Sequence, residues 1–123
     1  MNPRILHPAE EPLRLDALAT VLDGARLLAL RSWHPDRYDI YLCTQRAWRA
    51  QNIPVPYAAI IYQLRRLIAN GNLLAFNDTQ GRTRADVADL YGTARDHVLR
   101  QHRLALRRTA AASVSGIGLA ATA

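Results

Sequence analysis

The stretch PYAAIIYQLRRLIANGNLLAFNDTQGRTR, residues 56–84, decides how this chain is read. Pro56 suits the first turn of a helix, where its missing N–H would be unpaired in any case. Tyr57, Ile60, Ile61, Leu64, Leu67 and Ile68 then recur at three- and four-residue spacing, which makes one continuous apolar face. Gly71 follows as a left-handed stop, so the spacing predicts a helix over 56–70. Ala58, Ala59, Tyr62, Gln63, Arg65, Arg66 and Ala69 fall on the remaining circumference, small near its start and polar or basic further on. Asn72 to Phe76 reads as a short strand. Asn77 to Gly81 is turn chemistry, and Arg82, Thr83 and Arg84 can return as a second strand. The alternative for that last segment is a capping box, in which Thr83 and Asp86 open the final helix.

Upstream, Asp36 can cap a helix with Asp39 in its first turn. Ile40, Cys43, Ala47 and Ala50 form its stripe, with Tyr41 and Trp48 beside it. It ends near Gln51 and Asn52, because Pro54 and Pro56 push Ile53 and Val55 toward extended geometry and make a stiff connector. Leu13 to Leu30 is mostly apolar and helix-favouring, with Asp23 and Gly24 marking a bend or a break. Pro3, Pro8 and Pro12 disfavour helix over residues 1–12, which read as an extended arm. Downstream, a helix over 84–108 carries Val87, Leu90, Tyr91, Ala94, Val98 and Ala105 along one side, and residues 109–123 read as a flexible, uncharged tail. The expected domain therefore covers 13–108.

Helix, helix, stiff turn, helix, strand, turn, basic strand and long helix is the order of a winged helix-turn-helix. The expected fold class is mainly α with a small β-hairpin wing. A recognition helix must bury one face and offer small or polar side chains on the other, because the major groove excludes a bulky face. Residues 56–70 meet that requirement, with Ala59 small, Tyr62 and Gln63 facing outward, and Arg66 able to read guanine or hold phosphate. Arg37 near the preceding helix, with Arg82 and Arg84 on the wing, would hold the backbone.

The segment from Arg37 to Ile40, followed by Ile61 to Leu73, resembles winged-helix repressors of the PadR type. Their pattern has a Gly-Tyr-x-Ile segment, then Ile-Tyr-x-x-Leu-x-x-Leu-x-x-x-Gly, and the second motif matches from Ile61 through Gly71. Arg37 stands where that family has glycine, and the resemblance covers residues 36–84. It implies a repressor that binds a paired site on double-stranded DNA as a homodimer. It also implies dimerisation by the helix after the wing, through Val87, Leu90, Tyr91, Ala94, Val98 and Ala105.

Composition narrows the alternatives. Sixteen basic residues, every one an arginine, face ten acids for a formal charge of +6. That surplus favours an acidic partner, whether nucleic acid or protein. The single cysteine, Cys43, excludes an internal disulfide and a cysteine-based metal site, and its place on a helix stripe reads as an inert core thiol. No apolar run approaches the roughly 20 residues of a membrane span, and no secretory signal opens the chain, so a cytoplasmic location is expected. His97 and His102 are five apart, which misses the spacing for a metal on one helix face. No glycine-rich phosphate loop or nucleophile elbow is present, so neither catalysis nor a cofactor is expected. The rival reading is a protein-binding module on the same scaffold, such as a phage or mobile-element inhibitor, an antitoxin or an adaptor, which meets an acidic protein surface.

Overall fold

A computed structural model describes residues 10–122, with side chains described for 12–112. The elements are α1 (Glu10–Ser32), α2 (Ile40–Gln51), α3 (Tyr57–Arg65), a single 3₁₀ turn (Ala69–Gly71), α4 (Leu73–Asp78) and α5 (Arg84–Thr122). Among the described residues there is no strand. The nearest thing to one is an isolated bridge in which the backbones of His34 and Tyr38 exchange hydrogen bonds of 3.0 and 3.1 Å. The expected β-hairpin wing is therefore absent, and the winged-helix assignment is corrected to an all-helical fold.

The correction has a local physical cause. Asn72 accepts a hydrogen bond from the Ala75 backbone N–H at 3.0 Å, so it acts as a helix N-cap and not as the first residue of a strand. Leu73, Phe76 and Asn77 then face inward at helical spacing. A run of five residues is too short for its periodicity to distinguish strand from helix. The second strand fails for a matching reason. Thr83 and Asp86 form a reciprocal box, with Asp86 N donating to Thr83 Oγ1 at 3.1 Å and Thr83 N to Asp86 Oδ2 at 2.9 Å. This is the alternative that the sequence left open, and it starts α5 at Arg84.

Other boundaries move as well. Asp39, and not Asp36, caps α2, accepting from Leu42 N at 2.8 Å. Asp36 and Arg37 instead lie in the turn ahead of it, where their backbone N–H groups donate to His34 Nδ1. α3 stops at Arg65, earlier than residue 70, since Ile68 is extended and Asn70 and Gly71 both hold positive φ. Two left-handed residues in succession cannot continue a right-handed helix. Residues 1–9 of the expected arm lie outside the described residues, and Glu10 to Pro12 are helical. Pro12 is tolerated there because the first turn has no intrahelical partner for its missing N–H. α5 continues as helix through the segment expected to be a flexible tail, as far as Thr122.

α1 and α5 pack as an antiparallel pair, fixed in register by the Asp23–Arg95 ion pair and by Arg26 lying against Gly92. Asp23 and Gly24 do not break α1. Gly24 is where α2 crosses closely, with a Cβ there falling 3.7 Å from the Ala47 Cβ. The core is the seam of these helices: Leu18, Val21, Leu22, Ala25 and Ala29 of α1 meet Ile40, Cys43 and Ala47 of α2, Ile60 and Leu64 of α3, and Val87, Tyr91, Ala94 and Val98 of α5. The Tyr91 hydroxyl, wholly buried, donates to Ile40 O at 2.8 Å and lies 2.6 Å from Thr44 Oγ1.

Candidate nucleic-acid interface

The outer side of α3 forms one wall of an open groove of about 610 Å3, shared with the first turns of α1 and the middle of α5. Pro56, Ala58, Ala59, Leu15 and Leu18 make its low apolar part, and Tyr62, Gln63, Arg66, Arg14 and Gln101 make the rest. Among the described residues no carboxylate lines it. Tyr62 is 60% exposed. The Arg66 guanidinium lies 5.8 Å from the centre of the Tyr62 ring, and its Nη1 makes a long contact of 3.5 Å to Gln63 Oε1. The side chain that best matches a planar, hydrogen-bonding ligand is thus held on the rim by an aromatic face and an amide.

The groove gathers Ala59, Tyr62, Gln63 and Arg66 from the expected set. Gln63 is 8% exposed, so it supports Arg66 more than it reaches outward. The others stand elsewhere. Arg37 is exposed on the turn between α1 and α2, outside the groove. Arg82 lies over the Phe76 ring, 3.7 Å from its centre, and donates from Nε to Phe76 O at 2.9 Å. Arg84 donates from Nε to Trp33 O at 2.9 Å. Both former wing arginines fasten loops to the body. Val87, Leu90, Tyr91, Ala94, Val98 and Ala105, expected at a dimer interface, are all buried in the core of the single chain, which leaves them little surface to offer a second copy.

Arg14 and Gln101 were not found from the sequence. They lie far apart in it and meet α3 only because α1 and α5 pair antiparallel. His97, one turn before Gln101, joins them in effect. Burial pushes its pKa down, and the nearby Arg66 and Arg100 charges push it further in the same direction. Its Nε2 is enclosed and has no hydrogen-bond partner. A cluster of cations that depresses a neighbouring imidazole is a local positive potential that a bound anion would relieve.

Comparison with protein-family models, with curated proteins and with solved structures finds no match.

The basic surplus is concentrated by the way the acids are used. Asp39 and Asp86 cap helices, and Asp78 accepts from Asn77. Asp23 binds Arg26 and Arg95, and Asp96 binds Arg95. At Asp23 burial raises the pKa, but the hydrogen bonds from Arg95 and Arg26 outweigh it and the net shift is downward. By contrast, no acid occurs from residue 40 to 77 or from 97 to 123, while Arg46, Arg49, Arg65, Arg66, Arg100, Arg103, Arg107 and Arg108 do. Arg14, Arg66 and Arg100 make no ion pair among the described residues. No group of metal-ligating side chains is present among the described residues, and none of the described helices is long and apolar enough to cross a membrane. Cys43 is fully buried, and burial pushes its thiol up to about 12, which keeps it in the unreactive protonated form.

Proposed function

We propose that this protein binds nucleic acid, with double-stranded DNA as the first candidate, through the groove at α3 and the adjoining basic part of α5, and that it acts as a DNA-binding regulator. Arg66 and Tyr62 are the residues that would reach base edges, and Arg14 and Arg100 would hold phosphates. The observation that carries the reading is the convergence of Arg14, Tyr62 and Arg66 on one open groove that, among the described residues, no carboxylate lines. The small side chains Ala58 and Ala59 allow a sugar–phosphate backbone to approach α3 closely.

The test is fluorescence anisotropy with mixed-sequence duplex DNA across a salt series. Two arginine–phosphate contacts, from Arg14 and Arg100, predict a slope of log affinity against log salt of about −2, at roughly −0.9 for each phosphate neutralised. Arg14→Glu should weaken binding at least about tenfold and flatten that slope by about one. No binding at low salt refutes the reading.

A protein partner is the second reading, and one observation favours it. Leu13, Leu104 and Leu106 are 74%, 46% and 47% exposed, and the α1–α5 register brings them to the same end of the molecule as Arg14. An acidic protein surface with apolar contacts at its centre would fit that end. Retention of the protein by such a partner, together with failure to bind DNA, would select it.

A further inference from the structure

We infer that a second cavity, between the end of α3 and the turn joining α4 to α5, is a binding site for a small amphipathic carboxylate anchored by Arg82. This cavity is a hollow open to solvent, of about 460 Å3, lined by Leu67, Ile68, Phe76 and Leu90 together with Asn70, Asn72 and Arg82. That volume lies in the range that takes small organic molecules, and an apolar lining with a few fixed polar groups is their usual environment.

The chemistry of the polar groups selects the ligand. The Arg82 guanidinium is immobilised from two sides, by the Phe76 ring at 3.7 Å and by the bond from Nε to Phe76 O. Its Nη1 and Nη2 donate to no described residue, so the edge that grips a carboxylate in two places is open. A guanidinium already held in place loses little further freedom on binding. Asn72 has committed its oxygen to the Ala75 N–H, which leaves the amide N–H groups as its available face. Asn70 makes no side-chain hydrogen bond, and its backbone is held at φ 64. Asp78 and Asp86, each four residues from Arg82, do not line the cavity: Asp78 accepts from Asn77 Nδ2, and Asp86 accepts from Thr83 N through Oδ2. The hydrogen bonds with Thr83 lower the Asp86 pKa, and the Arg82 charge helps to lower it. Fixed donors around an apolar floor, with no carboxylate among the lining residues, repel a cation and leave a fully hydrated anion such as phosphate with nothing to gain from Leu67, Ile68 and Leu90. A carboxylate on an aryl or branched aliphatic body satisfies both parts. This site shares no residue with the groove at α3, so neither proposal depends on the other.

The experiment is an amide-resolved NMR titration of the whole chain with benzoate, and in parallel with benzamide and benzylamine. For a ligand of about nine non-hydrogen atoms, affinity near 1 mM is expected. Benzoate should give saturable shifts confined to residues 67–72, 76, 82 and 90. Benzamide should bind at least about tenfold more weakly, and benzylamine should give no saturable shift. Asn70→Asp places a carboxylate on the cavity wall while keeping a residue type that tolerates positive φ, and it should weaken benzoate at least about tenfold in a chain whose other resonances are unmoved. Arg82→Gln should abolish the preference for benzoate over benzamide. Equal binding of benzoate and benzamide, shifts scattered over the surface, no saturation by about 10 mM, or benzoate binding unaffected by Asn70→Asp would each overturn the inference.

Discussion

Replacing Asn77 with alanine should be among the most damaging single changes available in this protein, although the position reads from the sequence as an ordinary turn residue. Its side chain is 1% exposed. Oδ1 accepts two hydrogen bonds, from Trp33 Nε1 at 2.9 Å and from the Ile40 backbone N–H at 3.0 Å. Nδ2 donates to Pro35 O at 3.1 Å and to Asp78 Oδ1 at 2.9 Å. One amide therefore ties α4 to the end of α1, to the turn after it and to the start of α2. Alanine leaves the Trp33 and Ile40 donors buried without partners. Each stranded donor costs about 1–3 kcal/mol, so the expected loss is about 3–4 kcal/mol after partial relaxation. For a domain of this size that corresponds to a fall in Tm of roughly 10–20 °C. Thermal and urea denaturation followed by circular dichroism would measure it. Asn77→Asp sharpens the test, because it keeps the acceptor but removes the donor and buries a negative charge beside Asp78. A carboxyl in that place has a raised folded-state pKa, so this variant should regain stability as pH falls and the group protonates. Asn72→Ala, which removes only an exposed cap, should cost about 1 kcal/mol. If Asn77→Ala melts within about 3 °C of the parent, the four-bond fork is not what holds α4 in place, and the reasoning fails.

Two further outcomes are expected. His97 has its pKa lowered in the folded chain, first by burial and then by Arg66 and Arg100, so the unfolded state binds more protons there and stability should decline as pH falls below the ordinary histidine value. Nucleic acid that neutralises those arginines should raise the His97 pKa and tighten binding toward acid pH. Histidine titration by NMR with and without DNA measures this, and an unshifted His97 in both states contradicts it. Gly24→Ala should be neutral or stabilising by up to about 1 kcal/mol, since the gain in helix propensity is of that size. The new Cβ would press to 3.3 Å only on Gln51 Nε2, the tip of a flexible exposed side chain. A loss above about 1 kcal/mol in urea denaturation would mean that α1 and α2 are closer than the structure has them.

The helices with a long repeat were legible because burial acts on their periodicity directly. Val87, Leu90, Tyr91, Ala94 and Val98 form one buried face of α5 as the spacing predicts, and Ile40, Cys43 and Ala47 one buried face of α2, while Ala50, expected on that stripe, is exposed. What those faces pack against was not legible. The stripe assigned to a second copy meets α1 of its own chain, since one-dimensional spacing says that a face is buried and not by what. The wing failed where local signals compete. Asn72 and Asn77 are residues that favour turns, but here the first caps a helix and the second is a buried hydrogen-bonding hub. Both uses follow from the same short amide, and only the tertiary surroundings select between them.

The candidate site shows the same division for charge. Arg26, Arg82, Arg84 and Arg95 all hold the fold together through acids, carbonyls or a ring, whereas Arg14, Arg66 and Arg100 pair with no acid among the described residues. Net charge counts these two classes alike. Part of the difference is that Asp39 and Asp86 are committed to helix starts and Asp23 and Asp96 to Arg95. Arg82 in the loop after α4 was the natural choice for a phosphate contact, but its ring and carbonyl partners hold it away from the groove at α3. Arg14 had no such claim until α5 brought Gln101 beside it. Arginines without a structural partner among the described residues also stand at Arg31, Arg37, Arg46, Arg49, Arg103 and Arg107, so the groove at α3 is singled out because Arg14 and Arg66 share it with an exposed Tyr62, and Arg82 because its guanidinium edge is unused.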